Sequence, residues 1–138
     1  MRIMAIDYGD ARTGLAVSDL SGTLAGEAWV IAEKDQKAAA RAISAEAAAR
    51  EVGRIVVGYP KNMDGTIGPR AEKSERLAEL LRDECDIEIQ LWDERLTTMS
   101  AHRILSDAGR YGKKRKQTID AVAATLILES YLRSLNGN

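Results

Sequence analysis

Apolar and polar residues alternate between two periods along this chain of 138 residues. Residues 3–6 form a short apolar run that ends on Asp7, and a turn rich in Gly and Asp leads into a second apolar run at 13–17. Such runs, bounded by turn residues, predict strands over 2–7 and 13–18. "DLSG" at 19–22 makes another turn, and "LAGEAWVIA" at 24–32 predicts a third strand. Compact turns of this kind join antiparallel neighbours, so the first third predicts a β-meander.

The period then changes. "DQKAAARAISAEAAAREVG" is rich in strong helix formers, with Asp35 placed to cap the helix and Gly53 to close it. "RIVVGYP" at 54–60 is a β-branched run suited to a fully buried parallel strand. After the polar loop 59–68, Pro69 fits a first helical turn, and Ala71, Ser74, Leu77, Ala78 and Leu81 share one helical face. "IEIQLWDE" at 87–94 alternates as a fifth strand. Thr97 or Thr98 is placed to cap a helix through 99–109, a basic loop is expected at 110–117, and the last helix at 118–135. Hairpins followed by strand–helix–strand units predict an α/β fold with a mixed five-stranded sheet, three antiparallel meander strands and then right-handed parallel crossovers, flanked by helices. No repeat or low-complexity linker divides the chain, so residues 1–138 are expected to form one domain, with only the last three residues disordered.

Composition narrows the function classes. Hydrophobic residues make up 45% and charged residues 30%, the profile of a folded soluble protein. No apolar run reaches the ~20 residues of a membrane span. Strand-like sequence begins at once, with no signal-type segment before it. A single cysteine, Cys85, allows no intrachain disulfide and fits a reducing cytoplasm. The single histidine, His102, excludes a zinc site built from several His or Cys ligands. Net charge is −1, so nucleic-acid binding would need a local basic patch.

Three acidic positions fall at the ends of elements expected to be buried. Asp7 ends the first strand, Asp93 and Glu94 end the fifth, and Asp120 begins an apolar final helix. Ligands of open α/β sheets bind outside the carboxyl ends of the strands. If strands one and five are neighbours and the last helix starts over their tips, these carboxylates converge. Converged carboxylates repel one another, and Mg2+ or Mn2+, hard cations that take oxygen ligands, would balance them. Two such ions roughly 3.5–4 Å apart support phosphodiester hydrolysis. Each residue also has a plainer use: Asp7 in starting a turn, Asp93 or Glu94 in pairing with Arg95, Asp120 in complementing a helix dipole.

The segments "AIDYGDARTGLAVSD", "IVVGYPKNMDGTIGPRAEK", "WDERLTTMSAHRIL" and "IDAVAATLILESYL" resemble, in order and spacing, the blocks of the YqgF family, also called RuvX-like Holliday junction resolvases. The resemblance covers nearly the whole chain. It implies a ribonuclease-H-like fold and a divalent-metal-dependent endonuclease with an acidic triad on Asp7, Glu94 and Asp120, Asp93 being the reserve ligand. It also implies a role in processing the 5′ end of the small-subunit (16S) ribosomal RNA precursor, or in resolving four-way DNA junctions. This chain departs from the pattern at Asp10, where a small polar residue is common, and at Tyr59, where Leu is common.

Groups suited to holding phosphates lie around these acids. Arg12 follows Asp7 in the turn, Lys61, Asn62, Arg70 and Lys73 surround the long loop and the helix start, and Arg95, Thr97 and Thr98 follow Glu94. Lys113, Lys114, Arg115 and Lys116 form the densest positive run, beside Tyr111. The partner expected is therefore structured precursor rRNA or branched DNA, bound by a monomer or a homodimer. Two other readings compete. "IDYGDARTGLAV" also resembles the phosphate loop of two-lobed actin-like and sugar-kinase ATPases, although this chain supplies one lobe. A non-catalytic RNA-binding protein would keep the same residues.

Overall fold

The computed structural model describes residues 1–97 and 113–136, with side chains placed for 1–95 and 119–136. The helix expected over 99–109, with His102, Thr98 and Tyr111, lies outside the described residues, as do residues 137 and 138.

Five strands, β1 (Arg2–Asp7), β2 (Thr13–Ser18), β3 (Ala25–Ile31), β4 (Val52–Tyr59) and β5 (Glu88–Asp93), form one sheet in the order β3-β2-β1-β4-β5. The meander pairs are antiparallel, and β1, β4 and β5 run parallel to one another. β4 therefore lies between β1 and β5, so the adjacency on which the sequence reading rested does not hold. The reason is connectivity: β4 takes the place beside β1 after one helical crossover, and β5 adds outside it after a second.

Side-chain alternation divides the sheet into two apolar layers. Met4, Ile6, Leu15, Val17, Ile55 and Val57 face α1 (Gln36–Ala49) and α2 (Pro69–Glu84). Ile3, Ala5, Ala16 and Val56 face the final helix α3 (Lys113–Leu135), which contributes Ala124, Ile127, Leu128, Tyr131 and Leu132. All five residues expected on the inner face of α2 are buried. The Asp35 side chain accepts a hydrogen bond from the Ala38 N–H and caps α1 as expected.

Two element ends differ from the sequence reading. Gly53 does not close α1; the helix ends at Ala49, Glu51 takes the left-handed conformation (φ 56°), and Gly53 lies inside β4. A Cβ at Gly53 would stand 2.6 Å from Met1 Cγ, so the glycine makes room for the chain terminus. The stretch 113–117, expected as a loop, is helical, because Lys, Arg and Gln favour helix and no glycine or proline interrupts them. Asp120 consequently sits about two turns inside α3 rather than at its start.

Candidate active site

Alternation along β1 puts Asp7 on the face of Ile3 and Ala5, toward α3. In β5 the same rule separates the two acidic candidates. Ile89 and Leu91 pack toward α1 and α2, so Asp93 points that way, whereas Trp92 packs toward α3. Glu94, one residue beyond Asp93, opens a 3-10 turn (Glu94–Thr97) and turns its carboxyl group back over β4.

Neighbouring strands are about 4.8 Å apart, so residues on β1 and β5 are separated by about 10 Å with β4 between them. Glycine removes the obstruction. A Cβ on Gly58 of β4 would stand 3.1 Å from the Glu94 carboxyl carbon and 2.7 Å from Ile127 Cδ1. Gly14 does the same on the other side. It is paired with Asp7 across the β1–β2 ladder, and a Cβ there would overlap the Asp120 carbonyl group. Two glycines inside strands thus let Glu94 and α3 close over Asp7.

The charges register this closeness. Burial, then the negative charges of Glu94 and Asp120, push the Asp7 carboxyl up to about 7 from 3.8, against the lowering effect of Arg70. Burial also raises Glu94, again opposed by Arg70. Asp93 is in the opposite condition: hydrogen bonds from the Arg95 side chain, at 2.6–3.1 Å, hold it below the ordinary carboxylate range. Among the described residues no three acidic, His or Cys side chains are arranged as a ready-made metal cage. The Arg12 Nε donates to the Asp120 carboxylate at 3.2 Å.

Asp10 is neutralised rather than aimed at the site, because Lys73 donates to it at 2.6 Å. That ion pair ties the turn carrying Arg12 to α2. Lys61, Asn62 and Arg70 line a cavity of about 490 Å3 at the start of α2. Arg95 is turned to Asp93. Thr97 lies in the 3-10 turn, and Lys113, Lys114, Arg115 and Lys116 form the opening turn of α3. The close approaches at Gly14 and Gly58 were missed in the sequence, although an isolated glycine within a strand pattern does signal close approach of another segment.

A mixed five-stranded sheet in the order β3-β2-β1-β4-β5 with a helical layer on each face is a ribonuclease-H-like fold. The solved structure of T. thermophilus RuvC in complex with a Holliday junction substrate has this fold, with a TM-score of 0.60 at 14% identity over 97% of this chain and 96% of that one. The chain belongs to the family described as RuvX, Holliday junction resolvase, whose model matches residues 1–134. A Halothermothrix orenii protein, provisionally named a pre-16S rRNA nuclease, is 46% identical over 136 residues, covering 99% of this chain and 97% of its own. A Geobacillus sp. relative of the same name is 48% identical, covering 97% of this chain and 99% of its own.

Among the described residues no helix is long and apolar enough to cross a membrane.

Proposed function

We propose that this chain works as a single-domain, divalent-metal-dependent endonuclease that hydrolyses phosphodiester bonds in structured precursor rRNA, in the cytoplasm. The observation that carries this reading is the gathering of Asp7, Glu94 and Asp120 over the glycine-cleared β4, with Asp7 held protonatable near neutral pH by burial and by the other two. An oxygen-only donor set suits Mg2+ or Mn2+, and Asp7, Glu94 and Asp120 would hold it. When bound, such an ion activates water and balances charge on the leaving oxygen. Release of Asp120 from Arg12 would complete the donor set and free the guanidinium for a substrate phosphate.

The names of the curated relatives support the rRNA substrate. The family description and the fold shared with RuvC support a second reading, cleavage of branched DNA at a four-way junction. A side-by-side cleavage assay in Mn2+ or Mg2+ on precursor 16S rRNA and on a four-way junction separates them, with Asp7→Asn as the blank. Equal activity of Asp7→Asn and the unmodified chain would overturn both.

The same assay tests the choice of ligand in β5. Glu94→Gln is expected to lower cleavage by about 100-fold or more, whereas Asp93→Asn, which only weakens the pairing of Asp93 with Arg95, should stay within about fivefold. The reverse ranking would move the site to Asp93. Arg12→Gln provides an independent check. Calorimetry with Mn2+ should show binding tightened by about tenfold, because Asp120 is no longer held by a competing cation. Unchanged or weaker Mn2+ binding would mean that the ion pair holds Asp120 ready rather than away.

A further inference from the structure

The loop between β4 and α2 presents an apolar residue to water from a hydrogen-bonded turn. Asn62 and Thr66 are joined through the Asn62 N–H to the Thr66 carbonyl at 2.9 Å and through their side chains at 2.9 Å. The Gly65 N–H donates to the Asn62 carbonyl at 2.8 Å, and Gly65 takes φ +87°, a conformation that glycine adopts freely. Asp64 accepts from both the Thr66 N–H and its hydroxyl. At the tip of this bonded turn Met63 is 80% exposed, and Ile67 nearby is 47% exposed. Single exposed apolar side chains are ordinary. Met63 stands almost wholly in water on a hydrogen-bonded turn, and Ile67 beside it is about half exposed, so together they offer apolar surface to a ligand.

The flanking charges indicate the chemistry of that contact. The cavity of about 490 Å3 is lined by Lys61, Met63 and Arg70 together. Among the described residues neither Lys61 nor Arg70 forms an ion pair, in contrast to Arg12, Lys73 and Arg95. Lys61 lies 5.5 Å from the centre of the Tyr59 ring, and the charge of Arg70 reaches both Asp7 and Glu94. Cations of this kind beside an outward methionine match a ligand with phosphates and an exposed base. Apolar side chains, Met and Ile among them, enter between bases and unstack them. Arg70 lines the same cavity as Met63 and is the cation whose charge acts on Asp7 and Glu94, so such a base would lie toward those carboxylates.

Resting on the nuclease reading, we propose that Met63, with Ile67, packs against an unpaired or unstacked base next to the cleaved bond, while Lys61 and Arg70 hold its neighbouring phosphates. The loop 60–68 thereby selects strands at the edge of a paired region over continuous duplex.

The test uses the full chain carrying Asp7→Asn, so that substrate is bound without being cut. One probe is an RNA hairpin with a single-stranded 5′ extension and 2-aminopurine at the first unpaired position. The second is a blunt duplex of the same sequence carrying 2-aminopurine. Binding to the extended hairpin should raise 2-aminopurine emission. Adding Met63→Ala should abolish the rise and weaken binding to this probe by about tenfold, with blunt-duplex affinity unchanged. Met63→Leu should restore both. Because Met63 is on the surface, the variants should melt at the same temperature as their parent. If Met63→Ala binds the hairpin as tightly as its parent, or is weakened equally on both probes, the selection proposed for this loop is overturned while the nuclease reading stays intact. Failure of the Asp7→Asn chain to bind either probe would overturn the precursor-rRNA reading, and this inference with it.

Discussion

Asp7→Asn should abolish cleavage and at the same time make the metal-free protein more stable at alkaline pH. The two effects have one cause. Asp7 is held out of water near Glu94 and Asp120, and its carboxyl group is pushed up to about 7 from 3.8. Between those two values the folded chain binds more protons than the unfolded chain, so stability falls as pH rises through this window and stays reduced above it. At about 1.4 kcal/mol per pH unit, the cost of the ionised group at pH 8 is about 4 kcal/mol at most. Asparagine carries no such cost. The variant is expected to melt about 5–10 °C higher than the unmodified chain at about pH 8, with the gap closing toward about pH 4. Millimolar Mn2+ should raise the melting temperature of the unmodified chain at the higher pH and leave that of Asp7→Asn nearly unchanged. Scanning calorimetry at the two pH values, with and without Mn2+, gives all these comparisons. Identical melting of the two proteins at the higher pH would show that Asp7 is not under the pressure of its neighbours.

Gly14→Ala is expected to have the largest structural effect of any single methyl group added to this sheet. The new Cβ would overlap the backbone carbonyl of Asp120, and backbone cannot swing aside as a flexible side chain can. α3 would have to lift from β2, loosening Ala124, Ile127 and Leu128 from the layer they share with Ala5 and Ala16. Forcing volume into a closed contact of this kind costs about 3 kcal/mol, which corresponds to a melting temperature lowered by about 10 °C. The fraction that folds should still have lost cleavage, since Asp120 moves with the helix. Gly26→Ala on the edge strand β3 is the control, its nearest neighbour being the Val17 carbonyl oxygen at 3.2 Å. That change should stay within about 1 kcal/mol. Equal melting of the two glycine variants would mean that α3 does not depend on the close approach at Gly14.

The same contact explains why the acids gather although both conditions stated for their convergence fail. Strands β1 and β5 are not neighbours, and α3 does not begin at Asp120. Glu94 nevertheless reaches Asp7, because Gly58 leaves the intervening strand without a side chain. Asp120 reaches it because Gly14 lets α3 lie directly on β2. Asp10, a negative charge close to the site in sequence, is instead engaged by Lys73 from a helix 63 residues away.

What the chain determined by itself was local and periodic. The inner face of α2, the Asp35 cap and the meander all follow from 3.6- and 2-residue spacing and from turn chemistry, which act between residues close in sequence. The opposite facing of Asp93 and Trp92 was also within reach, because alternation from Ile89 and Leu91 assigns Asp93 to the face of α1 and α2. Tertiary structure alone decided strand order, the partner of Asp10, the hold of Arg12 on Asp120, and the use of two glycines as clearances. Those depend on which distant segments are brought into contact, and spacing along a chain carries no record of contacts across it.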